Sequence, residues 1–285
     1  MMVGMKRIIR VFPRKTSATP DDELAVVNRG PLLWDDADEV HVSVAFTVDR
    51  LRAEELAREW RCVDAGVKVG GPAYDDAGGE FVPGMYLKYG NVITSRGCPN
   101  NCWFCHAWKR EGRTVRTLPI RDGYKIQDNN LLACPRGHVE AVFDMLARQR
   151  ERPRFTGGFE AELLEPWHCE WMAVLKPSVM WFAYDEPGDW DPLVRAAGML
   201  REYDVIRGNN ACCYVLVGWP KDTIGEAEHR LRSVVGLGMF PQAMLYERGM
   251  HFAGAERKEW RAFQRSWAAK PVVGAKMKQF GGRAL

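Results

Sequence analysis

Six strand candidates recur along the chain at intervals of about thirty residues, near positions 91–94, 124–127, 153–156, 179–184, 211–217 and 241–245. That interval is the length of one strand plus one crossover helix, so the pattern restricts the chain to an α/β fold with six parallel strands. The segments between them carry apolar residues at helical spacing: Val139, Val142, Phe143 and Leu146; Trp167, Trp171, Val174 and Leu175; Leu193, Ala197 and Leu200; Ile224, Ala227, Leu231 and Val234. Each stripe is expected to face the sheet. The interval 106–123 is the exception, because it is polar and broken by Gly112 and Pro119, and it predicts no full helix. At 285 residues and 46% hydrophobic, the chain can bury a sizeable core.

A smaller unit precedes this array. Residues 7–12 read as a strand, and 39–46 alternates with Val40, Val42, Val44 and Phe46 on one face. A helix over about 49–61 places Ala53, Leu56, Ala57 and Trp60 together, and the strand Val67–Val69 runs into Gly70-Gly71-Pro72. The result is a small βαβ unit, followed by a glycine-rich connector over 75–90. The expected organisation is an N-terminal unit with its connector (1–85), a six-stranded α/β unit (86–248), and a basic C-terminal helix and tail (249–285). The last segment carries Trp260, Phe263 and Trp267 on one helix side and, counted from Arg248 to the end, a net charge of +7, in a chain whose total is +3. Such a tail either meets nucleic acid or is a solvated helix face. No apolar run approaches the ~18 residues of a membrane span, and the N-terminus lacks the apolar core of a signal peptide. The expected compartment is the cytoplasm, with no membrane partner.

Parallel α/β sheets collect their chemistry at the carboxyl ends of their strands. Here those ends are Arg96-Gly97-Cys98, Asp128-Asn129-Asn130, Gly157-Gly158-Phe159-Glu160, Asp185-Glu186, Gly218-Trp219 and Tyr246. Three cysteines, Cys98, Cys102 and Cys105, follow the first strand at the spacing C-x3-C-x2-C, close enough to wrap one soft metal centre. A structural zinc ion would need a fourth ligand, from His106 or Cys134; an iron–sulfur cubane held by three thiolates would keep one iron open. Gly157-Gly158 could serve simply as a turn, and Asp128-Asn129-Asn130 as either a helix cap or a substrate contact. Cys62, Cys134, Cys169, Cys212 and Cys213 read as small buried hydrophobes. Trp103, Trp108 and Trp219 fall in rim loops.

The Cys98, Cys102, Cys105 triplet, with Phe104 just before the last cysteine, resembles the signature of the radical S-adenosylmethionine (SAM) enzymes. Gly157-Gly158-Phe159-Glu160 resembles that superfamily's Gly-Gly-Glu motif with one residue inserted. Phe182-Ala183-Tyr184-Asp185-Glu186 resembles its fourth-strand ribose contact, and Val215-Leu216-Val217-Gly218-Trp219-Pro220 its fifth-strand motif. Ser95-Arg96-Gly97-Cys98-Pro99 and Asp128-Asn129-Asn130 look most like the cobalamin-binding and tRNA methylthiotransferase branch, and the N-terminal unit resembles a shortened Rossmann-like domain of that branch. The resemblance covers residues 90–248. It implies a partial (β/α)6 TIM-like barrel behind a Rossmann-like βαβ unit, with Cys98, Cys102 and Cys105 holding a [4Fe–4S] cluster. It further implies that SAM, chelated at the open iron, is cleaved reductively to a 5′-deoxyadenosyl radical. Gly157 and Gly158 would admit SAM close to the backbone, Glu160 would bind its ammonium, Phe104 would pack near adenine, Asp185 or Glu186 would accept from the ribose hydroxyls, and Gly218 would belong to the same cradle. An electron donor such as a flavodoxin or ferredoxin is implied as a partner. A barrel left open at its shortened first crossover, with no lid domain, and the basic tail with Trp260 and Trp267 point to a large substrate, nucleic acid ahead of peptide or small metabolite.

Two departures shape the expectations. The first barrel helix is missing between Cys105 and Tyr124. The N-terminal unit also lacks the Asp-x-His-x-x-Gly that supplies cobalamin's lower ligand in that branch, since His41 stands inside a strand, so no cobalamin is expected. Two other function classes remain open: a zinc-stabilised nucleic-acid-binding module without catalysis, and an iron–sulfur electron carrier.

Overall fold

The computed structural model describes residues 6–76 and 79–280. Two parallel sheets organise them. The first holds β1 (Ile8–Phe12), β2 (Ala25–Val27), β3 (Glu39–Ser43) and β4 (Gly66–Gly70) in the order β2-β1-β3-β4, with α1 (Arg50–Trp60) crossing from β3 to β4. The buried side chains Val40 and Val42 alternate with half-buried His41, and α1 buries Ala53, Leu56, Ala57 and Trp60, as the spacing predicts. The third strand stops at Ser43, however, and Phe46 is exposed instead of lying on the core face. The sequence reading also missed β2, three residues in a polar stretch.

The second unit runs β5 (Asn91–Val92), β6 (Ser95–Arg96), α2 (Ala107–Glu111), β7 (Arg116–Thr117), β8 (Lys125–Ile126), α3 (Arg136–Ala147), β9 (Arg154–Phe155), α4 (Pro166–Leu175), β10 (Val179–Ala183), α5 (Trp190–Glu202), β11 (Ala211–Val217), α6 (Ile224–Gly236) and β12 (Phe240–Leu245). Its six parallel strands pair in chain order, β5-β8-β9-β10-β11-β12, with β5 and β12 outermost. All six expected strands are present. The polar interval after the cysteines holds only the five-residue α2 and a two-stranded antiparallel ribbon of β6 with β7.

Most helix stripes face the core: Val139, Val142, Phe143 and Leu146 of α3, Leu193, Ala197 and Leu200 of α5, and Ala227, Leu231 and Val234 of α6 are buried. Helix α4 is rotated from its expected face. It buries His168, Cys169, Met172 and Leu175, while Val174 is exposed. The cause is local: His168 Nδ1 accepts the Glu165 N–H at 2.9 Å and Glu165 accepts back from the first turn, a reciprocal cap that turns His168 inward.

Two C-terminal helices, α7 (Gly254–Ser266) and α8 (Lys270–Gln279), pack on this larger core through Trp260, Trp267, Val273 and Met277, all buried. The Trp267 carbonyl accepts the Ala243 N–H of β12 at 3.0 Å, so the end of α7 satisfies part of an edge strand. The tryptophans of the basic segment therefore belong to the interior; Arg283 lies outside the described residues. Among the described residues no helix is long and apolar enough to cross a membrane.

Candidate functional site

Buried Asp128, at the end of β8, fixes the start of the cysteine loop. Its carboxylate accepts the Thr94 N–H at 2.7 Å and the Thr94 and Ser95 hydroxyls at 2.6 Å each. Burial raises its pKa above the ordinary carboxylate value, and the three donors act against that rise. A second carboxylate, Glu111 at the end of α2, holds the other side. It pairs with Arg96 at 3.3 Å and Arg110 at 2.9 Å, and accepts from the Gly97 N–H at 3.3 Å and from the Asn129 amide. Asp128-Asn129-Asn130 is thus not a helix cap: α3 begins after Pro135 with no side-chain cap, and the three residues bind the cysteine loop.

The thiols stand on the loop so framed. The Asn130 amide donates to Cys98 Sγ at 3.8 Å, the Ala107 N–H donates to Cys105 Sγ at 3.4 Å, and the Trp108 indole N–H holds the Cys102 carbonyl at 2.9 Å. Burial pushes the Cys98 thiol up and the Cys102 thiol to about 11, and the neighbouring thiols add to both shifts. Cys98 and Cys102 are therefore costly to ionise without a cation beside them. Among the described residues no three His, Cys, Asp or Glu side chains converge where a single metal ion could sit. Cys134, one conceivable fourth zinc ligand, is buried beside Ser95 and Asp128 instead. Of the remaining cysteines, Cys169, Cys212 and Cys213 are buried as expected, but Cys62 is exposed just beyond α1.

The other expected site residues collect on the same rim. Asn130 donates to Glu160 Oε2 at 2.6 Å, so one carboxamide joins Cys98 to Glu160. The Asn130 Oδ1 is buried with no partner among the described residues. Gly157 passes so close to β8 that a Cβ would be driven into the Asp128 carbonyl, and Gly158 has φ +109°. These glycines are required by the backbone path. Phe159 turns into the core against Phe155 and Phe182, which leaves Glu160 on the rim. Gly218, with φ +70°, lies where a Cβ would meet Leu245 at 2.6 Å and Trp260 at 3.1 Å, so its role in this chain includes packing β11 against α7.

Asp185 accepts the Leu216 N–H at 2.9 Å, and burial lifts its pKa to about 7. Its negative charge is felt at Cys102, as that of Glu160 is at Cys98. Glu186 accepts from the Trp103 indole at 2.6 Å. Trp103 also meets Phe104 edge-on at 5.3 Å and Tyr246 at 5.1 Å, and so links the cysteine loop to the ends of β10 and β12. Sequence reasoning missed Glu111. Its only signal was a lone acid among Lys109, Arg110, Arg113 and Arg116. No protein-family model matches the chain, and no curated protein is significantly similar to it.

Proposed function

We propose that the chain is a radical SAM enzyme, its six-stranded sheet a partial (β/α)6 barrel and Cys98, Cys102 and Cys105 the ligands of a [4Fe–4S] cluster. The observation that carries the reading is the Asn130 bridge between Cys98 Sγ and Glu160 Oε2, which joins the cysteine loop to the segment resembling a SAM-binding motif. The donor set suits a cluster: three soft thiols on one short loop, with N–H donors to two of the sulfurs, a feature that tunes iron–sulfur centres. When bound, the cluster supplies the electron and the open iron at which an S–C bond of SAM is broken. The chain's own residues orient the partner molecule. Glu160, held in place by Asn130, binds the SAM ammonium, and the buried, unpartnered Asn130 Oδ1 is a further acceptor beside it. Asp185 or Glu186 would accept from the ribose hydroxyls and Phe104 would pack near adenine, while Trp103, held by Glu186 and packed on Phe104 and Tyr246, would help to exclude water. The electron comes from a small carrier of the flavodoxin or ferredoxin kind. The test is SAM titration of the cluster-loaded protein: Glu160→Gln is expected to keep its iron and weaken SAM binding by about 1–3 kcal/mol. Unchanged affinity would move the SAM site elsewhere.

A further inference from the structure

A cavity of ≈ 830 Å³ opens between the two sheets. Its first wall is the carboxyl edge of the N-terminal sheet. In the order β2-β1-β3-β4 the chain leaves β1 toward one side and β3 toward the other, so the β1/β3 boundary is the switch point where open α/β sheets form a ligand crevice. Segments following both strands, including Arg14 and Phe46, line the cavity. Its opposite wall includes Ser95, Arg96, Glu111 and Asn129, the residues that frame the cysteine loop. The volume falls in the ~300–1,000 Å³ range of small-molecule sites.

The lining indicates what chemistry would be held. Every Lys or Arg on it is already paired with a carboxylate: Arg14 grips Asp49 through two bonds at 2.9 and 2.7 Å, Lys68 meets Glu39 at 2.5 Å, and Arg96 and Arg110 share Glu111. A phosphate would have to displace one of these carboxylates, so an anion is disfavoured. Exposed apolar surface comes from Phe46, Val69, Val82 and Tyr86. Tyr86 is anchored by His41, whose Nδ1 lies 2.6 Å from its hydroxyl, while His41 Nε2 meets Glu39. The amide nitrogens of Gln127 and Asn129 are committed to Asn91 and Glu111, which leaves their carbonyl oxygens as acceptors with no donor among the described residues. The lining carboxylates are engaged as well, Asp49 and Glu111 by the arginines above, Glu80 by Arg121 at 3.3 Å and Asp76 by the Gly71 N–H at 3.3 Å. A matching ligand is therefore uncharged and planar, stacks on an aromatic face and carries N–H donors along its edge.

The geometry points to this cavity as a binding site for a small, uncharged heteroaromatic molecule. That such a ligand is a substrate rests on the radical SAM reading; that it binds does not. The shared chemistry has two sources, a free nucleoside or a peptide's indole, and the experiment separates them. Guanosine, cytidine and N-acetyltryptophanamide are titrated calorimetrically into the full chain and into Cys98→Ala, with and without excess SAM. Saturable binding of at least one probe is expected, equal in both proteins and not displaced by SAM. The probe that binds identifies the source. Phe46→Ala should weaken it about 5- to 150-fold, the range for losing one aromatic stacking partner. Because Phe46 is 42% exposed, that variant should keep the wild-type thermal transition. No saturable binding by any of the three probes, binding lost to SAM, or binding indifferent to Phe46→Ala would overturn the assignment. A wild-type chain that takes up no cluster on anaerobic reconstitution but still binds the probe would instead count only against the radical SAM reading.

Discussion

Glu111→Ala is expected to loosen the cysteine loop and destabilise the chain together. The Glu111 side chain is only 4% exposed, and its two guanidinium partners, on Arg96 and Arg110, are 16% and 17% exposed. Removing the carboxylate strands both positive charges and also leaves the Gly97 N–H and the Asn129 amide without their acceptor. Breaking a buried ion pair by deleting one partner costs about 3–5 kcal/mol, and the residual solvation of the arginines favours the low end, about 3 kcal/mol. For a chain of this size that lowers the unfolding midpoint by roughly 6–12 °C. Glu111→Gln keeps an acceptor and should lose less. The assay is thermal unfolding by tryptophan fluorescence, run beside the iodoacetamide alkylation rates of Cys98, Cys102 and Cys105 in the metal-free protein. Faster alkylation is expected in Glu111→Ala, because the carboxylate anchors both Gly97, which precedes the first cysteine, and α2, which follows the last. A midpoint within about 1 °C of wild type, with unchanged alkylation, would refute the anchoring role.

His168 is buried and neutral, its pKa lowered to about 4 chiefly by burial, so the unfolded chain takes up a proton that the folded chain resists. Stability should therefore fall as pH drops from about 6.5 toward 4, by at most about 3 kcal/mol. His168→Gln, which can still accept the Glu165 N–H, should flatten urea-unfolding stability across that window; an unaltered pH dependence would discount the histidine. Trp267→Ala should cost about 3–5 kcal/mol, because the fully buried ring stacks on Phe280 at 6.2 Å and lies under Lys276 at 3.9 Å. A near-neutral urea-unfolding result would return Trp267 to the list of surface aromatics available to a ligand.

How far the sequence carried these conclusions depends on the period of each signal. The six strands were legible because their candidates recur at about the thirty-residue spacing of a strand plus crossover helix, which marks even the two-residue ladders of β8 and β9 that hold a single buried apolar residue each, Ile126 and Phe155. The helices α3, α5 and α6 were legible because no local bond competes with their 3.6-residue stripe. Helix α4 misled because the His168–Glu165 cap, a polar contact invisible to a hydrophobic pattern, sets its rotation. Strand β2 escaped because three residues are too few for alternation to register. At the site, that the thiols, Gly157, Gly158 and Glu160 fall together at strand ends was legible from their positions after the strand candidates. The framing by Asp128 and Glu111 and the Asn130 bridge were not, because each joins residues that are distant in sequence or buried within a polar run. The cavity between the sheets was equally hidden, since its walls come from two stretches of chain far apart in sequence.

The central claim is that Cys98, Cys102 and Cys105 hold an iron–sulfur cluster to which SAM binds. The most direct measurement is iron and acid-labile sulfide content after anaerobic reconstitution, combined with electron paramagnetic resonance of the reduced protein before and after SAM is added. The account predicts about four irons and four sulfides per chain, a reduced-cluster signal that SAM perturbs, and loss of both in Cys98→Ala, Cys102→Ala and Cys105→Ala. A colourless protein with stoichiometric zinc, a cluster signal indifferent to SAM, or full iron retained in Cys98→Ala would contradict it.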